Sequence, residues 1–591
     1  MSEEATPLLP EPFSFYKAVL RGDHLHFGLW PEDRPQLTIE EAQEEMFGRL
    51  LSYFPPPPAR VLDVGCGLGY SAHLLSQKGY EVTAIAPSPE LISYAQQKYG
   101  KEGVLFVESG FFDDQPVFAD GLYDVLFFQE SMQYLSPLSL VMGRARRLLK
   151  EKGTLLIGDE VCYSREIKHL TAVHMSSEFT TVLSENGFKI TEREKVGRQV
   201  SLTCGFIIKE FTRNFDELAA SGGKDAVEQL RHYLDGWKSQ QQWYADGRMG
   251  YEIIAAKKDS FFIRPYADGD EQRILPMFNE LFYTNRSIGH WHWKFRDNPY
   301  GSHKVALAFS DTVPLAVHYA GYPVPFYSAG DSPAEFISLQ IGDTMTSPAV
   351  RNIGLGKTGL LARTSQYYYA RFCEEEVPFI YGFNTGHIRK LGMRYLGYTY
   401  ISPVPYWVKD LSKSPLKPTP FFRRLLSGFA VDEVTSVGSE WDDLFSRAGL
   451  SYGLLVRRDA AYIRWRYLDC PDKVHRIFSV RRRGMLVGWS VFVRRGNKLI
   501  WGDALFDNRY RESVTHLLDT VVKRCFQGVE TIEGWFSRHP GWWSKLLENA
   551  GFSTVPEPND LTPCFVIFGD RITEEKLEDL LYYSWGDSDL F

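Results

Sequence analysis

The sequence predicts an α/β protein: a parallel-sheet domain covered by helices, followed by two smaller α+β domains that resemble each other. Three observations carry this. Apolar strands alternate with helical spacing from Arg60 to Lys150, and strand–helix alternation over short links builds a parallel sheet. A segment WKFRDNP at Trp293 to Pro299 recurs as WRYLDCP at Trp465 to Pro471. Finally, 44% hydrophobic and 24% charged residues over 591 residues are ordinary for packed globular domains.

In the first domain, strands are expected at Arg60–Val64, Glu81–Ile85, Val104–Val107, Tyr123–Phe128 and Thr154–Ile157. Helical spacing occupies Ser71–Lys78, Pro89–Tyr99 and Leu138–Lys150. The prolines Pro55 to Pro58 form a stiff spacer ahead of the first strand. YEIIAAKK (Tyr251 to Lys258) reads as a closing strand, so the domain is drawn as 1–258. The proline-rich KSPLKPTP (413–420) marks a second boundary, giving 259–411 and 412–591. These two segments share the tryptophan motif and paired strands: Lys304–Ser310 and Ala316–Tyr319 match His475–Val480 and Val487–Val493. LGMRYLGY, ending at Tyr398, matches LLENAGF, ending at Phe552. Two landmarks in the same order indicate a duplication, with a period too long for a solenoid.

Net charge −8 gives no basic footprint for nucleic acid or an anionic membrane. No apolar run reaches the length of a membrane span. The acidic lead MSEEATPLLPEPF lacks the pattern of a signal peptide, and seven scattered cysteines without a CxxC pair suit reduced thiols; a cytoplasmic location is expected.

Asp63-Val64-Gly65-Cys66-Gly67-Leu68-Gly69 follows a strand and opens a helix, where glycines allow a sharp turn and close approach of a ligand to backbone. On this stretch and the alternation after it, the first domain resembles the class I S-adenosylmethionine-dependent methyltransferases, with a Rossmann-like sheet. The resemblance implies that Asp63 holds the amino group of the methionine part, while Gly65, Gly67 and Gly69 shape the loop against the cofactor. Two departures stand out. The acid that usually grips the ribose hydroxyls at the end of the second strand is replaced by Ala86, with Ser88 and Glu90 out of register. The acid after the third strand is replaced by Gly110; either Asp113 reaches the adenine, or that contact is absent. The fourth strand ends at Gln129, Glu130 and Ser131, beyond which open parallel sheets bind ligands. Gln129 is assigned to cofactor contact. Glu130 either orients a substrate and accepts a proton or caps the next turn. Tyr16, His24, His26 and Trp30 are candidates for a lid over the site.

In the second domain a strand containing Asp343, Thr344 and Met345 leads to Arg351-Asn352-Ile353-Gly354-Leu355-Gly356 and then a long helix. Backbone N–H groups at such a helix start bind anions. This loop resembles the pyrophosphate loop of the GNAT acyltransferases. The resemblance implies acetyl-CoA or another acyl-CoA as cofactor, held by Thr344, Met345, Arg351, Gly354, Gly356 and Lys357, with Asn384 after the next strand. The family's acid, a tyrosine in the closing helix, falls at Met393. Tyr395 is two residues on, about 200° around an α-helix, and is the substitute named here. His290 to Trp293 (HWHW) offers two histidines without a third ligand, so no metal is assigned. The third domain lacks glycine between Asp507 and Leu518 and reads as a degenerate GNAT-like half that binds no coenzyme A. The chain is therefore expected to be a bifunctional transferase, methyltransferase and N-acyltransferase, acting on a small-molecule or carrier-borne acceptor. The alternative is an acyltransferase with a degenerate methyltransferase module.

Overall fold

A computed structural model describes residues 9–20, 22–100, 103–215, 224–330, 332–351, 356–416, 428–471 and 475–591. The chain divides into two compact units, Met1–Arg264 and Pro265–Phe591.

The N-terminal unit holds one seven-stranded sheet: β1 (Arg60–Val64), β2 (Glu81–Ala86), β3 (Val104–Glu108), β4 (Tyr123–Gln129), β5 (Leu149–Cys162), β6 (Phe188–Lys195) and β7 (Met249–Lys258). Their order is β3-β2-β1-β4-β5-β7-β6. The first five are parallel, and β7 runs antiparallel between β5 and β6. The strands β1, β4 and β5 are almost wholly buried, as expected for a sheet covered on both faces. Helices α1 (Phe13–Leu20), α2 (Ile39–Leu51), α3 (Tyr70–Gln77), α4 (Pro89–Tyr99) and α5 (Leu138–Leu148) cover it. Helix α2 starts at a capping box, in which the Thr38 hydroxyl accepts from Glu41 N–H and the Glu41 carboxylate accepts from Thr38 N–H. The strand order reverses between β1 and β4, which opens a crevice at their C-terminal ends.

The C-terminal unit is built from two halves with one topology. In the first half run β8 (Phe262–Pro265), β9 (Lys304–Phe309), β10 (Val317–Ser328), β11 (Ala334–Thr346), β12 (Phe379–Asn384), β13 (Thr399–Tyr400) and β14 (Tyr406–Asp410). The second has β15 (Phe429–Val434), β16 (Leu454–Val456), β17 (Arg476–Arg482), β18 (Met485–Arg495), β19 (Lys498–Phe506), β20 (Thr531–Trp535), β21 (Ser553–Val555), β22 (Thr562–Ile567) and β23 (Leu581–Tyr582). One mixed sheet reads β8-β9-β10-β11-β12-β22-β13 and the other β15-β17-β18-β19-β20-β14-β21. Each half thus lends a late strand to the other's sheet: β22 pairs with β12, and β14 with β20. The strand β16 also crosses, pairing with β10. The boundary expected at 412 falls inside this interlocked unit.

The repeated tryptophans meet on the pseudo-two-fold axis. Trp293 and Trp465 stack with centroids 5.3 Å apart. Each indole N–H donates to the other's backbone carbonyl, at 2.7 and 3.2 Å. Both sit on the same kind of π-turn, His292–Arg296 and Arg464–Leu468. Such reciprocity is the mark of a self-complementary contact. The seven cysteines form no disulfide. Among the described residues no helix is long and apolar enough to cross a membrane.

Candidate functional site

The glycine loop of the N-terminal unit turns as the sequence requires: Gly65, Gly67 and Gly69 have φ of 79°, 53° and 80°. Their surroundings differ. A Cβ on Gly67 would find only Leu25 at 3.6 Å, so its backbone borders open space. On Gly69 it would strike Phe106 and Ala95. Gly69 therefore packs α3 closely against the sheet, and it does not line the cavity described next.

A cavity of about 890 Å³ opens at the strand ends, lined by Asp63, Gly65, Gly67, Ala86, Asp113, Gln129 and Glu130 among others. Asp63 is 2% exposed, and its Oδ2 has no hydrogen-bond partner. Burial pushes its carboxyl up to about 7. An orphaned carboxylate oxygen beside a bare glycine backbone fits the ammonium group of the methionine part of S-adenosylmethionine. Gln129 accepts a hydrogen bond from Ser71 Oγ at 2.9 Å, while its Nε2 has no partner. Asp113 accepts from Gly110 N–H at 2.7 Å, placing the carboxylate where the cavity passes β3. Ala86 ends β2, pairing with Glu108, and is 2% exposed. Ser88 and Glu90 are occupied with each other: Ser88 caps α4 through Leu91 N–H and donates to the Glu90 carboxylate at 2.7 Å. Neither replaces the missing acid.

Glu130 has φ 54°, a left-handed backbone uncommon outside glycine. Its carboxylate accepts from Phe27 N–H at 2.7 Å and Tyr251 OH at 3.2 Å, so it reaches the lead segment and caps no turn of its own. Burial, with help from Asp159 and Glu160, holds its carboxyl well above the usual range. Asp159 and Glu160 lie at the end of β5 and went unnamed from sequence; the signal was an acid pair inside the apolar run LLIGDEVC. Burial pushes both to about 7. Tyr16 and His26 line the cavity; Trp30 does not, its indole donating to Leu37 O. His26 and His24 share a 2.8 Å hydrogen bond, and burial lowers them to about 4 and about 3, so both are neutral at pH 7.

In the C-terminal unit a second cavity, about 1050 Å³, brings together Thr344, Met345, Arg351, Gly356, Asn384 and Tyr395. The strand β11 is bulged there: its pairing with β10 slips between His318 and Ala320, and Asp343 takes φ 55°. Asp343 is held by Lys294 at 3.0 Å and by Arg286. Burial alone would raise its carboxyl, but the two cations hold it well below the usual range. Asn384 donates to Tyr400 OH at 3.1 Å. Tyr395 stands beside Gly356, within 3.9 Å of the Cβ that glycine lacks. Met393, two residues earlier on the π-turn Gly392–Leu396, is 61% exposed and off the cavity wall. Lys357 is exposed and does not line the cavity. Gly354 lies outside the described residues. Among the described residues no cluster of three or more His, Cys, Asp or Glu is arranged for a metal ion, the HWHW segment included.

Residues 62–157 match the family model described as a methyltransferase domain. The chain is 26% identical over 240 residues to the sarcosine/dimethylglycine N-methyltransferase of Halorhodospira halochloris, covering 38% of this chain and 85% of that one. It is 30% identical over 270 residues to the 27-O-demethylrifamycin SV methyltransferase of Amycolatopsis mediterranei (strain S699), covering 40% and 91%. To the methyltransferase GfsG of Streptomyces halstedii it is 31% identical over 254 residues, covering 40% and 87%. Through its N-terminal 40%, the chain belongs to the class I S-adenosylmethionine-dependent methyltransferases.

Proposed function

We propose that the chain is a bifunctional transferase. The N-terminal unit carries out S-adenosylmethionine-dependent methyl transfer. The half spanning 259–411 is a GNAT-type N-acyltransferase using acetyl-CoA or another acyl-CoA, and 412–591 is a related half that binds none. The methyl acceptor is a small molecule, free or carrier-borne; the relatives' names include both an N- and an O-methyltransferase.

The observation that carries the methyl-transfer reading is the unpartnered Asp63 oxygen beside the open Gly67 backbone. Asp63 and Gly67 would hold the methionine part, Gln129 and Asp113 lie along the remaining wall, and the cofactor supplies an activated methyl group. The acyl-transfer reading rests on the convergence of Thr344, Met345, Arg351, Gly356, Asn384 and Tyr395 on one cavity at a bulged strand. The equivalent place in the second half carries Asp507 at the start of the loop, a negative charge already bound to Arg509 at 2.6 Å. A pyrophosphate would be repelled there.

The second reading, an acyltransferase with a degenerate methyltransferase module, is favoured by one feature. Ala86 leaves the ribose position without a carboxylate, and Ser88 and Glu90 are committed to each other.

Calorimetry on the full chain separates these readings. S-adenosylmethionine and coenzyme A should each bind once. Gly67→Trp should abolish the first binding and leave the second; Gly356→Asp, placing a charge on the cavity wall, should do the reverse. Coenzyme A binding that survives Gly356→Asp unchanged would remove the assigned loop. Failure of S-adenosylmethionine to bind the wild type would favour the degenerate-module reading.

A further inference from the structure

We propose that the methyl acceptor is an amine that enters as a cation and is held by Glu130 and Glu160 between aromatic walls. This rests on the methyl-transfer reading above and names the substrate class of the same site.

Four observations carry it. First, among the described residues no lysine or arginine lines the N-terminal cavity, while Asp63, Asp113, Glu130 and Glu160 do. An acceptor bearing phosphate or carboxylate would find no counter-charge there. Second, Glu130 and Glu160 are satisfied only by neutral donors. Glu130 accepts from Phe27 N–H and Tyr251 OH, and Glu160 from Tyr244 OH at 2.8 Å and the Gln240 amide. No salt bridge reaches either of them among the described residues, although buried carboxylates are ordinarily paired. Third, Ser131, the next residue after Glu130, is 5% exposed, lines the same cavity and has a hydroxyl with no hydrogen-bond partner among the described residues. It is a polar group left waiting for a ligand. Fourth, the cavity walls near these acids are aromatic. Tyr16 and Phe27 each pack against Trp237, at 6.1 and 5.9 Å between centroids, and Tyr233 lines the same wall. Ring faces flanking a carboxylate attract an ammonium group.

The raised carboxyls follow from the same geometry. With no cation inside, burial holds the Glu130 carboxyl well above the usual range and pushes Glu160 up to about 7. A bound ammonium supplies the missing charge and favours their ionised forms. A proton then passes from the ammonium nitrogen to the Glu130 carboxylate, freeing the nitrogen lone pair. That pair forms the new N–C bond to the methyl group as the methyl's bond to sulfur breaks, its electrons remaining on the sulfur. A neutral alcohol brings no counter-charge to these buried acids.

The test uses the full chain saturated with S-adenosylhomocysteine and a matched pair of probes. Choline is cationic; 3,3-dimethylbutan-1-ol is its neutral carbon isostere. Choline should bind at least roughly tenfold more tightly than the alcohol, and Glu130→Gln with Glu160→Gln should erase the difference, since the attraction of a desolvated ammonium group to carboxylates and ring faces is worth that much or more. S-adenosylhomocysteine affinity should stay within about twofold in the double variant, which also reports that the unit is folded. In turnover with S-adenosylmethionine, amines should release S-adenosylhomocysteine faster than the corresponding alcohols. Choline binding no better than the alcohol, or alcohols methylated while amines are not, would overturn the proposal. If S-adenosylhomocysteine itself fails to bind the wild type, the fault lies in the cofactor reading beneath it.

Discussion

Asp63→Asn separates what the carboxylate does for the ligand from what it costs the empty protein. Burial moves the Asp63 carboxyl from 3.8 to about 7. At about 1.4 kcal/mol per pH unit, that displacement makes the ionised carboxylate destabilising by roughly 4 kcal/mol. The sign follows from proton binding. Between pH 4 and 7 the folded state holds more protons at this site than the unfolded chain. Stability therefore falls as pH rises through that window and is flat above it. The neutral amide escapes this cost while keeping the shape. The ligand-free variant should thus melt with the wild type near pH 4 and several degrees above it at pH 8, in the transition that S-adenosylmethionine shifts. Its affinity for S-adenosylmethionine should drop roughly ten- to a hundred-fold, the loss of a charge-assisted hydrogen bond worth about 1.5–3 kcal/mol. Scanning calorimetry of the full chain with and without S-adenosylmethionine at pH 5.5 and 8, together with titration calorimetry, measures both effects. A variant less stable than wild type at pH 8, with affinity unchanged, would refute the view of Asp63 as an unpaired acid kept for a cation.

Two further outcomes follow from the same geometry. Ala86→Asp should tighten S-adenosylmethionine and S-adenosylhomocysteine alike by roughly tenfold or more in titration calorimetry, and do little for a 2′,3′-dideoxy analogue, because a carboxylate there would gain two charge-assisted bonds to the ribose diol; equal tightening of the dideoxy compound would refute the ribose assignment. In a double-mutant cycle, Trp293→Leu and Trp465→Leu should show a coupling of about 0.5–1.5 kcal/mol in denaturant unfolding of the C-terminal unit, since the two rings stack on each other; strictly additive losses would mean the stacked pair is incidental.

Much of the N-terminal unit was legible because its signals are local. A buried strand running into glycines, followed by a helix, identifies the crevice, and the strand ends at Ala86 and Gln129 fall where the apolar runs stop. What stayed hidden depended on partners distant in sequence. Strand β5 was read as Thr154–Ile157 but runs from Leu149 to Cys162, because β7 pairs with it as far as Cys162 and keeps Asp159 and Glu160 inside the sheet. Gly69 looked like a ligand contact, yet Phe106 from β3 occupies the space its side chain would need. Spacing put Tyr395 on the face opposite Met393, and it is the Tyr395 face that meets the cavity while Met393 is 61% exposed; spacing gives relative faces but not which of them turns inward. The exchange of β14 and β22 carries no local signature: YWVKD and TPCFVI read as ordinary strands, and only the assembled sheets say which half each belongs to.

The duplication also accounts for why two halves with one topology present unequal surfaces. Both β11 and β19 are bulged against their neighbours, and each carries a glycine there, Gly342 and Gly502. The chain's last residues run past both. At Gly342 an added Cβ would meet the Asp589 carboxylate and Lys294; at Gly502 it would collide with the Phe591 ring. The first contact is polar and leaves a cavity, whose wall includes Asp589 and Leu590. The second fills the equivalent notch with an aromatic ring that is 2% exposed and packs on His475 and Tyr467. Arg458, buried against Asp503 at 3.0 Å and bonded to Asp587, anchors this segment. The same glycine in the same bulge thus borders an open site in one half and seats a plug in the other. The difference lies in the segment Asp587 to Phe591, which meets one bulge with a carboxylate and the other with a ring.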